Sequence, residues 1–158
     1  MLEIRYITGD ATDPSRDSPG IIVHVCNDIG AWGKGFVVAI SRRWKQPEQC
    51  YRAWSRGEGD IPFALGQVQF VEVEDKLWVA NLIGQHGIRQ TGGKPPIRYE
   101  AIRQGLSVVA GEALRSSAQV HMPRIGCGLA GGVWEEIEPI IQEELVSKGV
   151  SVTVYDLP

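Results

Sequence analysis

Four glycines fall within Gly126-Cys127-Gly128-Leu129-Ala130-Gly131-Gly132, between a strand-like run and a helical one. A sharp turn accounts for one or two residues at positive φ; four make a cradle of backbone N–H groups suited to an anion. A second stretch of this kind, Cys26-Asn27-Asp28-Ile29-Gly30-Ala31-Trp32-Gly33-Lys34-Gly35-Phe36, has three glycines in six residues and opens onto a helix. It reads equally as a flexible connector or as a second anion-holding turn, and it lacks the Gly-Lys-Ser/Thr ending of a P-loop. The third stretch, Gly9-Asp10-Ala11-Thr12, by itself fits an Asx turn in which Asp10 takes up local N–H groups.

The other reactive side chains are scattered. Cys127 sits inside the glycine-rich turn, but no His or Asp lies at a spacing that marks an activating partner, so it reads as a small polarisable filler. His24 and His121 fall within strand-like runs and are expected in the core with their ring nitrogens hydrogen-bonded, whereas His86 lies in a long loop beside Gln85, near any ligand. The histidines form no HxxxH or HExxH pair, and the sequence offers no metal site. Cys26, Cys50 and Cys127 are odd in number and form no CxxC pair, which points to reduced thiols and a cytoplasmic setting rather than a disulfide scaffold.

Sixteen Lys and Arg against 19 Asp and Glu give a net charge of −3 over 158 residues. With no broad positive field, sequence-independent binding of nucleic acid is not expected as a main role. A phosphate ligand would then be held by backbone N–H groups and a few local cations. No apolar run approaches the roughly 20 residues of a membrane span, and the opening residues lack the apolar stretch of a signal peptide. The length suits one domain, residues 1–158. The five tryptophans fit core positions or cleft walls equally, and the sequence leaves the oligomeric state open.

The elements that must position these residues alternate. Strands are expected over Leu2–Ile7, Gly20–Cys26, Gln67–Val73, Leu77–Ile83, Gln119–Ile125 and Val150–Tyr155. Helices are expected over Phe36–Trp44, from Pro47 through Trp54, from Ile97 to Arg115, and from Trp134 to Ser147. Gly105 and Gly111 each weaken the third helix by roughly 1 kcal/mol relative to Ala, unless they permit close packing. Residues 84–96 form the longest irregular stretch, a length that in a compact domain marks function or mobility. This order implies a three-layer α/β/α sandwich with a mixed, mainly parallel central sheet, any antiparallel pairing falling at the first strand and the 67–83 hairpin. Ligands of such sheets bind beyond the carboxyl ends of the strands.

Gly9-Asp10, Gly33-Lys34-Gly35-Phe36, Val79-Ala80-Asn81-Leu82-Ile83, Tyr99-Glu100 and Met122-Pro123-Arg124-Ile125-Gly126-Cys127-Gly128-Leu129 together resemble a macrodomain, the ADP-ribose-binding α/β/α module. The last run, with Trp134 downstream, is similar to the branch containing terminal ADP-ribose protein glycohydrolase. The resemblance implies ADP-ribose and mono-ADP-ribosylated proteins as partners, with no cofactor. It implies that Asp10 accepts a hydrogen bond from the adenine amino group and that Ala11 adds a backbone contact. Gly33, Lys34, Gly35 and Phe36 would line the phosphate and distal ribose, with Asn27 and Asp28 near the ribose. Ile125, Gly126, Cys127, Gly128, Leu129 and Ala130 would wrap the diphosphate from the other side, and Tyr155 and Leu157 would pack near the adenine.

One departure bears on chemistry. In the related glycohydrolase a lysine after the Leu-Ile strand attacks the sugar and an aspartate after Gly-Cys-Gly-Leu assists; here those positions hold Gln85 and Ala130. Hydrolysis remains feasible where ADP-ribose is esterified to Glu or Asp, because a carboxylate leaving group has a pKa of about 4 and needs little help from an acid. The protein must then position a water near the anomeric carbon and stabilise an oxocarbenium-like transition state. Asn27, Asp28 and Gln85 are the candidates for holding that water. The alternatives are a reader that binds ADP-ribose without turnover, or a hydrolase of ADP-ribose 1″-phosphate or O-acetyl-ADP-ribose.

Overall fold

In the computed structural model, which describes residues 2–15 and 17–158, the continuous apolar run Gly20–Asn27 becomes β2, buried along nearly its whole length. It lies at the centre of a six-stranded sheet of order β1-β6-β5-β2-β4-β3. The strands are β1 (Arg5–Thr8), β2 (Gly20–Asn27), β3 (Val68–Glu74), β4 (Leu77–Gln85), β5 (Gln119–Met122) and β6 (Val152–Asp156). The helices are α1 (Phe36–Arg43), α2 (Gln46–Ser55), α3 (Tyr99–Ser116) and α4 (Trp134–Glu144). Met1 and Arg16 lie outside the described residues.

Alternate residues of the central strands divide the core into two layers. Ile21 and Val23 of β2 with Ala80 and Leu82 of β4 face Ile102, Leu106 and Val109 of α3 and Ile137 and Ile141 of α4. Ile22 and Cys26 with Val79 and Ile83 face Val37 and Ile40 of α1 and Tyr51 and Trp54 of α2. This is the expected three-layer sandwich. β1 runs parallel to β6, so the antiparallel pairing is confined to β3 with β4.

The boundaries shift where local chemistry overrides the pattern. β5 stops at Met122 rather than Ile125 because Pro123 has no N–H for the ladder. α4 runs through Pro139 and stops at Glu144, and a 3-10 turn, Val146–Lys148, completes the expected helix before Gly149 at φ 90°. β4 reaches two residues into the stretch expected to be irregular; there a Cβ on Gly84 would lie 2.4 Å from Ile102 Cδ1. The rest of that loop is tied down by His86 N donating to Pro96 O at 2.8 Å and by a Thr91–Lys94 bridge.

Candidate functional site

Because every neighbouring pair except β3–β4 is parallel, the chain leaves β1, β6, β5, β2 and β4 at one end of the sheet. All three glycine-bearing stretches start there. Between the stretches that follow β2 and β5 lies a cleft with two chambers that share Val25, Lys34, Val37, Gln85 and Leu129. The smaller, of about 320 Å³, is bounded by residues 34–37 on one side and residues 123–130 on the other, with His24 on its wall. The larger, of about 670 Å³, extends past Asn27, Trp32 and Gly33 to Arg52, Ile88 and Arg89.

Backbone geometry sets the walls. Gly35, at φ 85° and ψ −146°, precedes α1, whose first N–H groups receive no side-chain cap. Opposite, a 3-10 turn over Gly128–Ala130 is likewise uncapped by any side chain. The two turns meet where Leu129 Cδ1 lies 3.5 Å from the position a Cβ on Gly35 would take. Uncapped N–H groups at two turn starts across one cleft favour an anion between them.

The four glycines of residues 126–132 have structural as well as ligand-facing causes. Gly126, Gly128 and Gly131 all have positive φ. A Cβ on Gly126 would sit 2.6 Å from Ile97 Cδ1, and one on Gly132 would sit 2.4 Å from Gly126 O. Only Gly128 has open space beside it. The glycine count therefore follows from turn and packing, and Gly128 is the position where a ligand can approach the backbone.

The cleft is electrically one-sided. Lys34, Arg52, Arg89 and Arg124 line it, and among the described residues no Asp or Glu does. Arg52 is a fixed brace, bonded to Glu48 Oε2 at 3.0 Å and to the carbonyls of Gly30 and Trp32. Arg124 is held by both carboxylate oxygens of Asp156, at 2.7 and 3.0 Å, and stacks on the rings of Tyr6 and Trp134. Burial pushes the Cys127 thiol up, against the pull of Arg124, so it is a protonated and poor nucleophile. Burial also lowers His24 to about 4 and leaves it neutral, despite its bond to Asn81. No cluster of three or more His, Cys, Asp or Glu able to hold a metal occurs among the described residues.

Of the expected site residues, Lys34, Gly35, Phe36, Ile125, Gly126, Cys127, Gly128, Leu129 and Ala130 border the smaller chamber, and Gly33 and Asn27 border the larger. Gln85 borders both. Asn27, only 8% exposed, is committed to its own turn: Oδ1 accepts from Ile29 N and Ala31 N, and Nδ2 donates to Ala31 O. Asp28 is not among the cleft-lining residues; it accepts from His86 Nδ1 at 2.8 Å and Gly87 N at 2.7 Å, tying the β2 loop to the β4 loop. His86 is thereby turned to Asp28 and does not line the cleft, contrary to expectation. Of the three water-holding candidates, Gln85 alone reaches both chambers, its Nε2 donating to Gly87 O and its Oε1 unpartnered among the described residues.

Asp10, Ala11, Tyr155 and Leu157 lie outside both chambers, at the ends of β1 and β6. Asp10 Oδ1 accepts from Thr12 N and Thr12 Oγ1, the Asx turn read from sequence. Gly9 N bonds Asp156 O and Gly9 lies against the Tyr155 ring, so the stretch that begins at Gly9 leaves β1 at the end of β6. Tyr155 is buried and its hydroxyl meets His121 Nδ1 at 2.7 Å, while Leu157 is 80% exposed. The sequence reading missed His24, Arg52, Ile88, Arg89 and Arg124. Arg124 carried a signal, since it lies inside the motif Met122–Leu129; the others gather only through the sheet order.

No family model matches the chain. Its relatives are informative. A macrodomain protein of Streptomyces coelicolor has a solved structure that is 54% identical, covers 98% of this chain and 99% of that one, and superposes with a TM-score of 0.86. A chromodomain-helicase-DNA-binding protein 1-like of Mus musculus is 30% identical over 98% of this chain, which spans only 18% of that protein's length. A protein of Bos taurus named ADP-ribose glycohydrolase is 26% identical, covering 98% of this chain and 91% of its own. End-to-end likeness at 54% identity, on a sheet whose glycine turns enclose one cleft, makes this chain a member of the macrodomain family.

Proposed function

We propose that the chain binds ADP-ribose and hydrolyses the ester joining its distal ribose to Glu or Asp side chains of mono-ADP-ribosylated proteins. The observation that carries the reading is the pair of uncapped turn starts, at Gly35 and at Gly128, facing each other across a cleft lined, among the described residues, by cationic and no anionic side chains. A diphosphate placed there takes main-chain N–H bonds from both sides. The adenine extends toward Asp10 and Ala11, with Tyr155 and Leu157 at its flank. The distal ribose extends the other way, toward Gln85 and the larger chamber. The glycohydrolase name of the bovine relative supports hydrolysis of the same nucleotide class.

With Gln85 and Ala130 in place of a nucleophile and its assistant, water is the attacking group. Its oxygen bonds to the anomeric carbon while the bond from that carbon to the carboxylate oxygen breaks. The carboxylate leaves with the electron pair, and the water's extra proton passes to solvent. Gln85 Oε1, without a partner among the described residues, orients the water; Asn27 and Asp28 act through the loops they hold. The bound diphosphate and the dipole of the carboxamide favour the developing positive charge on the sugar.

Release of ADP-ribose from a protein automodified on Glu and Asp tests this reading. The expected result is release by the wild type, and loss of about 10²-fold in rate for Gln85→Ala with binding retained. Saturable binding without release would instead make the chain a reader, the reading that the lack of any carboxylate in the cleft favours. Release unchanged in Gln85→Ala would remove that residue from the mechanism.

A further inference from the structure

The wall of the smaller chamber contains a histidine that the proposed reaction does not use. His24 lies in mid-β2, 2% exposed, with its ring edge-on to Trp32 at 5.3 Å between centroids and tilted against Phe36 at 6.0 Å. Its Nε2 lies 2.5 Å from Asn81 Oδ1.

Which ring nitrogen carries the proton is fixed from two strands away. A backbone carbonyl only accepts. Cys50 O in α2 takes a bond from Gln69 Nε2 at 3.0 Å, so the Gln69 amide presents Oε1 to Asn81. Asn81 answers with Nδ2, at 3.0 Å, and the same Nδ2 also reaches Pro47 O at 3.2 Å. Asn81 is thereby left with Oδ1 toward His24, and an oxygen that only accepts requires the proton on Nε2. The three side chains stand in register on neighbouring strands, His24 opposite Asn81 and Asn81 opposite Gln69. Two carbonyls of α2 thus orient a chain of amides that ends in one imidazole tautomer.

A neutral ring with its proton on Nε2 has a bare lone pair on Nδ1. The protein offers that nitrogen little: Cys26 Sγ lies 4.0 Å away, at the outer limit for a weak thiol donor, and is no farther from Nε2, at 3.8 Å. His24 lines the smaller chamber, and an acceptor there with only a weak thiol contact repels phosphate and carbonyl oxygens and selects a group that brings its own hydrogen. We infer that His24 Nδ1 accepts a hydrogen bond from an O–H group in the occupied cleft, either a distal-ribose hydroxyl or the attacking water. This inference rests on the ADP-ribose reading of the cleft. It makes His24 a ligand contact and Asn81 and Gln69 the positioning residues behind it.

The test combines spectroscopy with one substitution. In ¹⁵N-labelled wild-type protein, the His24 ring should show Nε2 protonated and Nδ1 bare, and the Nδ1 resonance should move when ADP-ribose is added. His24→Gln puts an amide nitrogen where Nε2 was, keeping the donor to Asn81 while removing the acceptor. Its ADP-ribose affinity should fall about three- to tenfold if the partner is a ribose hydroxyl. With a water as partner, affinity holds and the rate of ester hydrolysis falls instead. A proton on Nδ1, a resonance unmoved by ADP-ribose that binds, or a variant equal to wild type in both affinity and rate would overturn the contact while leaving the function standing. Failure of the wild type to bind ADP-ribose would remove the function and the contact together.

Discussion

Substituting Gly35 by alanine separates backbone geometry from crowding at the point where the two turns meet. A Cβ there would find Leu129 Cδ1 at 3.5 Å, ordinary van der Waals contact, so sterics contribute little. The backbone at φ 85° and ψ −146° lies close to a region open essentially to glycine alone. Holding alanine there costs about 1–3 kcal/mol. If the turn keeps its shape, that cost appears as lost stability, about 2–4 °C of melting temperature per kcal/mol in a domain of this size. If the turn relaxes, the N–H groups at the start of α1 swing away from the anion. Each such bond to a charged group contributes about 1.5–3 kcal/mol, so affinity falls by roughly 10- to 150-fold. Calorimetric titration with ADP-ribose and a thermal melt of the same samples measure both outcomes. Gly111→Ala is the binding control, because nothing lies within 4 Å of its Cβ position, it needs no positive φ and it lies on α3 away from the cleft. A Gly35→Ala protein that melts and binds like the wild type would refute the assignment of this turn as a built anion wall.

Gly105→Ala should destabilise by about 1–3 kcal/mol, since the new Cβ would lie 2.4 Å from Leu82 Cγ in the fully buried layer between α3 and β4, whereas Gly111→Ala, facing open space, should stabilise by up to about 1 kcal/mol; chemical denaturation measures both. Acid titration of stability should expose His24. Its folded value near 4 lies below an unfolded value of about 6.5, so the unfolded chain protonates first and stability falls as pH drops from about 6.5 toward 4, by about 3 kcal/mol. The slope should flatten in His24→Gln, measured by denaturant melts across that window. Cys127→Ala should keep its rate of ADP-ribose release, because burial holds the thiol protonated; a large loss would return that sulfur to the chemistry.

The sheet was legible because β2 and β4 are buried on both faces and read as apolar runs, and because Asp75-Lys76 marks the β3–β4 turn. The shorter β5 was legible in principle from Pro123, whose missing N–H outweighs the apolar Ile125 beyond it. Gly105 shows the limit of propensity: it costs the helix on its own terms and is required by Leu82 on a strand more than 20 residues earlier. The cleft was legible from its glycine turns, although packing against Ile97 and Gly126 O explains two of the glycines that suggested an anion cradle. The partners of polar side chains were not legible. Asn27 and Asp28 read as water holders by type and place, yet their atoms go to Ala31, His86 and Gly87. Likewise His24, Asn81 and Gln69 come from three separate segments, and only the strand register joins them into one chain.

Titration of the purified chain with ADP-ribose by calorimetry bears most directly on all of this. Saturable binding at one site per chain is the expected result, weakened by Gly35→Ala and untouched by Gly111→Ala. A flat titration at millimolar nucleotide would contradict the account, because facing turn starts and a cleft without a carboxylate among its described residues would then exist without the anion they are built to hold.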